Sequence, residues 1–304
     1  MNILVGLNAG VCWALDTVIL GIALTKAPFI NDPKVLMLAP LISSFFHDFF
    51  SSIWMLIHMG IQRKWKMIFQ KLKNRGGKML ILASVLGGPI GMGGYVFSIN
   101  YLGISYTTML SAIYPALGAL LSFVFLKERL QKRQVIGLMA AVTGMGLLGF
   151  TLTERVEINL LAGGISILVC ILGWTLEIVI CAYAMKEERI DSQCAYASRQ
   201  LFSSAMQFVF LTALLRFAFL KVYPVRVLPI IAVAGLAGMV SYMCYYYAIS
   251  KMGASKSMAL NITYAAWGII FDAIIFHNIP YILQIVCGIM IVIGALTAAC
   301  DQKD

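Results

Sequence analysis

Gly173-Trp174-Thr175-Leu176-Glu177 lies in the middle of an apolar run from about Ile158 to Met185, long enough to cross a bilayer. A carboxylate at that depth costs about 3 kcal/mol or more, so its neighbours decide what it is for. Trp174 and Glu177 stand three apart and share a helix face, with the indole one turn from the carboxylate. A twin stands near the start of the chain. Cys12-Trp13-Ala14-Leu15-Asp16-Thr17-Val18-Ile19 reads against Gly173-Trp174-Thr175-Leu176-Glu177-Ile178-Val179-Ile180 at an offset of 161 residues. Two W-x-L-[DE] segments in equivalent apolar settings point to a duplication.

Composition places both segments in a membrane. Of 304 residues 61% are hydrophobic and 12% charged, and the mean hydropathy of +0.89 is beyond what a water-soluble domain sustains. The seven cysteines lie singly in or beside apolar runs, without C-x-x-C or paired spacing; they read as small buried side chains, not as disulfides or a zinc site. The first apolar run begins at Ile3 without a basic leader and reads as the first span itself.

Ten apolar runs follow one another, at about 3–25, 35–61, 79–101, 105–126, 134–152, 158–185, 193–215, 227–250, 254–276 and 280–300. Each is long enough for a tilted helix, and barrel strands would be about half as long and alternating. The expected fold is therefore an all-α integral membrane protein with ten transmembrane helices. With ten spans the termini share a side. The loops and tail on that side, 62–78, 127–133, 186–192, 251–256 and the last residues, carry 16 Lys and Arg. The other face carries six: Lys26, Lys34, Arg155, Arg216, Lys221 and Arg226. The positive-inside rule then makes both termini cytoplasmic. The charge run from Arg63 to Lys78 reads as an orientation signal on anionic headgroups, not as a nucleic-acid patch.

The duplication extends beyond the tryptophans. An offset of 150 pairs Tyr95 with Tyr245, Gly103-Ile104-Ser105 with Gly253-Ala254-Ser255, Ser111-Ala112-Ile113-Tyr114 with Asn261-Ile262-Thr263-Tyr264, and Gly144 with Gly294. In the second spans His47-Asp48 falls on Arg199-Gln200. The chain thus reads as residues 1–152 and 153–304, two five-helix copies. Because five is odd, the second copy enters the membrane from the opposite side, giving the inverted repeat typical of secondary transporters.

Five charged residues remain at membrane depth once the loops are removed: Asp16, Asp48, Glu177, Asp272 and Arg199, with His47 beside them. Such groups pair, face a wet cavity or relay protons. Asp272 lies near the end of its span and can reach the headgroups; Asp16 has the rival reading of a protonated packing residue. Arg199 is expected to pair with an acid, most simply Asp48. His47 and Asp48 are the candidates for proton coupling. Aromatics surround them: Trp13 and Trp174 on the first helices, Tyr95 and Tyr245 on the third, Tyr114 and Tyr264 on the fourth, and Trp267 one turn beyond Tyr264. Packing or an interfacial belt is the rival reading for any one of them. As a set related by the repeat they favour a cavity lining. An aromatic box with a carboxylate and little else polar suits a quaternary ammonium, which offers no conventional donor. Gly88, Pro89 and Pro115 are candidate gating positions, since Gly and Pro let helices bend or slide. Pro115 removes a backbone donor next to Tyr114, so a bend is expected there.

In order along the chain, His47-Asp48-Phe49, Gly88-Pro89-Ile90-Gly91-Met92, Ser111-Ala112-Ile113-Tyr114-Pro115-Ala116, Trp174-x-x-Glu177, Arg199-Gln200, Ser241-Tyr242 with Tyr245-Tyr246, and Leu260-Asn261 with Tyr264-Ala265-Ala266-Trp267 resemble the LicB-type choline permeases of the drug/metabolite transporter superfamily. The resemblance covers nearly the whole chain. It implies a multi-pass protein of the bacterial cytoplasmic membrane. It implies import of choline, for attachment to teichoic acid or lipopolysaccharide, linked to the proton motive force. Asp16 departs from the pattern, where a small neutral residue is expected. An exporter of amino acids or other small metabolites on the same frame is the alternative. A membrane enzyme built on His47-Asp48 is disfavoured, because no metal spacing, nucleophile motif or cofactor loop accompanies the pair.

Overall fold

The computed structural model describes residues 1–26, 33–149, 159–215 and 227–300. Arg155, Arg216, Lys221 and Arg226 of the charge comparison lie outside the described residues, as do the junction expected at 152/153 and the last four residues. Among the described residues the chain is helical and holds no strand. The helices are α1 (Asn2–Leu24), α2 (Pro33–Ile61), α3 (Trp65–Leu72), α4 (Arg75–Val85), α5 (Gly93–Ser111), α6 (Tyr114–Phe125), α7 (Lys132–Gly149), α8 (Leu160–Glu187), α9 (Ser192–Leu215), α10 (Leu228–Met252), α11 (Ala254–Asn261), α12 (Tyr264–Phe276) and α13 (Ile282–Ala299). A π-helical stretch, Leu86–Met92, joins α4 to α5.

Seven helical stretches among the described residues are long and apolar enough to cross a membrane: Asn2–Leu24, Arg75–Gly103, Tyr106–Phe125, Leu160–Glu187, Leu228–Met252, Ala254–Phe276 and Ile282–Ala299. Three expected spans, α2, α7 and α9, are not among them. The reason is their polar content. α7 begins on Lys132-Arg133, while α2 buries Ser43, Ser44, His47, Asp48, Ser51 and Ser52, and α9 buries Ser198, Arg199, Gln200, Ser203, Ser204 and Gln207. The two helices pack on each other, and Asp48 and Ser52 of α2 meet Gln200, Ser203, Ser204 and Gln207 of α9 inside the bundle. Outside, the pattern reverses: Ile136, Leu161 and Phe125 are 67%, 76% and 61% exposed. An apolar exterior around a polar interior is the arrangement a lipid solvent favours, and the molecule is a multi-pass membrane protein.

The helices pair in a reciprocal pattern. α1 packs on α10 and α12, while α8 packs on α5 and α6; α2 meets α10, while α9 meets α4 and the π segment; α2 meets α9, α6 meets α11, and α7 meets α13. Glycine allows the closest approaches. A methyl on Gly137 would lie 2.5 Å from the Ala298 nitrogen and 2.6 Å from the Gly294 carbonyl, and one on Gly294 would meet Ala141 and Gly137 equally closely. α7 and α13 therefore touch backbone to backbone.

Breaks recur at corresponding positions. Gly103 (φ 82°, ψ 167°) and Gly253 (φ 86°, ψ 167°) adopt a left-handed conformation that a side chain would strain. Each turns the chain into its next span without a loop. Those spans then break again, at Ala112-Ile113 and at Ile262-Thr263. The bend expected from Pro115 is corrected here: Pro115 sits in the first turn of α6, where its missing N–H has no intrahelical partner to lose. The corresponding break before α12 is followed by Ala265, so proline is not its cause. Pro89 lies inside the π segment, whose wider turn relieves the crowding a proline ring imposes on an α-helix.

Gly137→Leu is expected to wedge α7 from α13 and cost about 1–3 kcal/mol or more, read as a lower unfolding temperature in detergent. Gly164→Leu, where a Cβ meets nothing within 4 Å, should leave it unchanged. Equal melting of the two variants would refute the backbone contact.

Candidate functional site

A cavity of about 310 Å³ opens where α1, α2, α8, α9 and α10 meet. Trp13 and Asp16 reach it from one face of α1, and Trp174 and Glu177 from one face of α8, as their three-residue spacing requires. Tyr95, Tyr114, Tyr245 and Tyr264 also line it, together with His47, Asp48, Arg199 and Gly88. Trp267, Pro89 and Pro115 are not part of the lining. For Trp267 the reason is the break before Tyr264. α12 starts at the cavity and runs away from it, toward Ile270 and Ile274 on the exposed surface, so one further turn carries Trp267 out. Asp272 is likewise elsewhere, accepting a hydrogen bond from Asn278 near the exposed end of α12.

Two aromatic corners face each other. Trp13 lies edge-on to Tyr242, with centroids 5.0 Å apart, and to Tyr264 at 6.4 Å. Trp174 packs on Tyr95 at 5.2 Å and edge-on to Tyr114 at 5.7 Å. Each tryptophan thus meets a tyrosine distant in sequence, Trp13 with Tyr264 and Trp174 with Tyr114. Tyr242, quoted above only as part of the resemblance, is a lining residue as well. It stacks on Tyr196 at 5.4 Å and 7° and carries the Arg199 guanidinium 5.1 Å from its centroid.

The charges form one network. Arg199 Nε donates to Glu177 Oε1 at 2.5 Å, and Arg199 Nη1 lies 3.7 Å from Asp48 Oδ2. The expected Asp48 partner is present, but as the longer of two contacts, with Glu177 nearer. Asp48 is met instead by neutral donors: Gln200 Nε2 to Oδ1 at 2.8 Å, Ser203 Oγ to Oδ2 at 2.7 Å and Gln207 Nε2 to Oδ2 at 2.8 Å. These three residues went unassigned in sequence, although 199, 200, 203 and 207 follow the i, i+4 spacing of one polar helix face. His47 stands between two carboxylates, Nε2 3.0 Å from Asp16 Oδ2 and Nδ1 3.3 Å from Asp48 Oδ1. The Nδ1 contact is a hydrogen bond, whereas Nε2 meets Asp16 as an ion-pair contact alone. With His47 protonated between the two carboxylates the triad carries one net negative charge, and the Glu177–Arg199 pair adds none. A buried excess charge calls for a counter-charge. Glycine makes room for the network: a Cβ on Gly238 would meet His47 and Asp16, and one on Gly87 would overlap the Glu177 carboxylate. All seven cysteines are free, and no group of acidic, His or Cys residues among the described ones is arranged to hold a metal.

Comparison with known proteins places this architecture. The EamA-like transporter family matches residues 1–150 and 161–299. The chain belongs to that family. The protein is therefore a membrane transporter and not an enzyme. It is similar to Protein LicB of Haemophilus influenzae, at 37% identity over 192 residues, which is 62% of this chain and 63% of that protein; the expected likeness to LicB-type transporters is found. The matched stretch spans less than two thirds of that relative. A solved crystal structure with 17% identity superposes with a TM-score of 0.70 over 98% of this chain and 96% of its own, a likeness of fold alone.

In this transporter Arg199 is the group whose removal leaves most charge unpaired. Arg199→Leu should destabilise the protein by about 3–5 kcal/mol, because Glu177 loses its partner and Asp48 its permanent positive neighbour. Adding Glu177→Gln should recover part of that loss. Thermal unfolding in detergent checks both; a double variant no more stable than Arg199→Leu would show that the pair is not the cause.

Proposed function

We propose that this transporter imports choline, or a closely related quaternary amine, across the bacterial cytoplasmic membrane, for decoration of cell-surface polymers. The observation that carries the proposal is the cavity itself. Two tryptophans and several tyrosines enclose about 310 Å³ around a charge network one unit short of neutrality. Ring faces and a negative field attract an alkylated ammonium without needing a donor from it. The similarity to Protein LicB agrees with this substrate class. Inward movement of a monovalent cation gains about 2.3 kcal/mol per 100 mV of membrane potential, about a fiftyfold accumulation. Protons bridging Asp16, His47 and Asp48 would add a coupling ion, since a bound cation and a bridging proton act on the same carboxylates.

The architecture we propose is ten spans in two inverted five-helix repeats, with both termini cytoplasmic. Three observations support it. Gly103 and Gly253, 150 residues apart, share the same unusual backbone conformation. The helix pairing exchanges partners between halves, α1 on α10 matching α8 on α5. The family matches two stretches that part near the expected junction. Transport would then alternate access by rocking one repeat against the other. A polar latch supports a state closed at the end bearing the basic loops: Glu128 accepts from Ala254 N at 2.7 Å, Ser255 N at 3.1 Å and Ser255 Oγ at 2.6 Å. Asn278, its counterpart at the offset of 150, bonds Asp272 instead.

Counterflow into proteoliposomes with radiolabelled choline, against a panel of amines and amino acids, tests the substrate. Choline should exchange; exchange of amino acids without choline would favour the exporter. Trp174→Ala should lose choline binding by at least about tenfold, while Trp174→Phe keeps part of it, because a benzene face retains a weaker quadrupole. Near-wild-type uptake by both variants would remove the aromatic cavity from the mechanism.

A further inference from the structure

The two carboxylates that stand one turn from a tryptophan occupy equivalent places but are held differently. Glu177 is clamped by Arg199, whose guanidinium has no neutral form in proteins, and its second oxygen lies against the Gly87 backbone. Asp16 is held through one oxygen alone. Its Oδ2 faces His47 Nε2 at 3.0 Å, pressed over Gly238. Its Oδ1 is buried and has no hydrogen-bond partner among the described residues, although Asp16 as a whole is 4% exposed and lines the cavity. An unpaired oxygen on a buried carboxylate is the costliest kind of unsatisfied acceptor.

Two hydroxyls of the lining are already engaged elsewhere. Ser241 Oγ, also in the lining, is spent on the Ala9 carbonyl at 2.8 Å, and Thr17 Oγ1 on the Trp13 carbonyl at 2.8 Å. Gln207 Oε1 and Asn261 Oδ1, two further buried atoms of the lining without a partner, are acceptors as well. His47 Nε2 and Tyr245 Oη are the other unpartnered buried atoms of the lining and can donate, so the unmet acceptors outnumber them and Asp16 Oδ1 is the one that carries charge. A fully alkylated ammonium satisfies the net charge but leaves Oδ1 bare. A cation that also carries a hydroxyl satisfies both.

Resting on the reading that the cavity takes an organic cation, we propose that Asp16 determines specificity. Its free Oδ1 accepts a hydrogen bond from an O–H or N–H group of the substrate, whose ammonium lies among the ring faces of Trp13, Tyr264 and Trp174, and Glu177 is a structural partner of Arg199. The substrate class is then a short monovalent ammonium bearing a donor, as in an amino alcohol. Plain tetraalkylammonium ions fall outside it. Tyr242 is left out of the ammonium's contacts because Tyr196 and Arg199 already cover its ring.

The test is equilibrium binding to the purified full chain, by calorimetry, with choline and with propyltrimethylammonium, which has the same size and charge but a methyl in place of the hydroxyl. Wild type should prefer choline by about tenfold or more, the range of a hydrogen bond to a charged acceptor. Asp16→Leu should bring that preference to about one. Asp16→Asn, which keeps the shape and a neutral acceptor, should lower it at least about threefold, and it serves if the leucine variant does not fold. Glu177→Gln should leave the preference intact while lowering stability. Wild-type binding of both ligands with equal affinity, or an undiminished preference in Asp16→Asn, would overturn the role of Asp16 while leaving the cation reading standing. Failure of wild type to bind either ligand would overturn the cation reading, and the Asp16 proposal with it.

Discussion

A carboxylate buried between helices has to be met by donors from its neighbours, and Asp48 draws them from one helix in particular. Gln200, Ser203 and Gln207 of α9 all donate to it, His47 lies beside it, and Arg199 reaches both Asp48 and Glu177. Through His47 the same network extends to Asp16 on α1. α1, α2, α8 and α9 are therefore tied by one set of polar contacts at the centre of the bundle. Lipid supplies no competing donors, so such contacts hold their register better than they would at an aqueous surface.

Around that centre the packing is made close by small residues and not by bulky ones. Gly6 and Gly10 of α1 abut Leu260 and Thr263, and Gly94 abuts the backbone at Ser166 and Cys170. Gly91 and Gly173 bring the π segment against α8. Smooth contacts of this kind let helices approach without interlocking side chains. The π segment and the two mid-span breaks sit beside the cavity, where Gly87, Gly88, Tyr114, Asn261 and Tyr264 form part of its lining.

The two halves resemble each other in shape more than in charge. Both present a tryptophan, an acid one turn on, and a cation from the second span. One cation is Arg199 and the other His47. A guanidinium neutralises its acid permanently, whereas an imidazole does so only when it holds an extra proton. Near-equivalent packing with unequal chemistry leaves the cavity asymmetric.

Much of this was legible in residue order. The length and hydropathy of the runs determined an all-helical membrane protein, because lipid admits no open backbone. Spacing of three, repeated at an offset of 161, picked out Trp13, Asp16, Trp174 and Glu177, because a helix fixes which side chains share a face. Glycines at matching positions marked the breaks, since a left-handed turn excludes other residues. Periodicity, however, fixes a face without saying what that face meets. Sequence could not choose between Asp48 and Glu177 as the partner of Arg199, rank Tyr242 above its neighbours, or tell that Trp267 leaves the cavity after the break at Ile262-Thr263. Nor could it show that Asp16 keeps one oxygen unmet. Those outcomes depend on how helices far apart in the chain cross and on which donors each crossing brings within about 3 Å, and that was decided by tertiary packing alone.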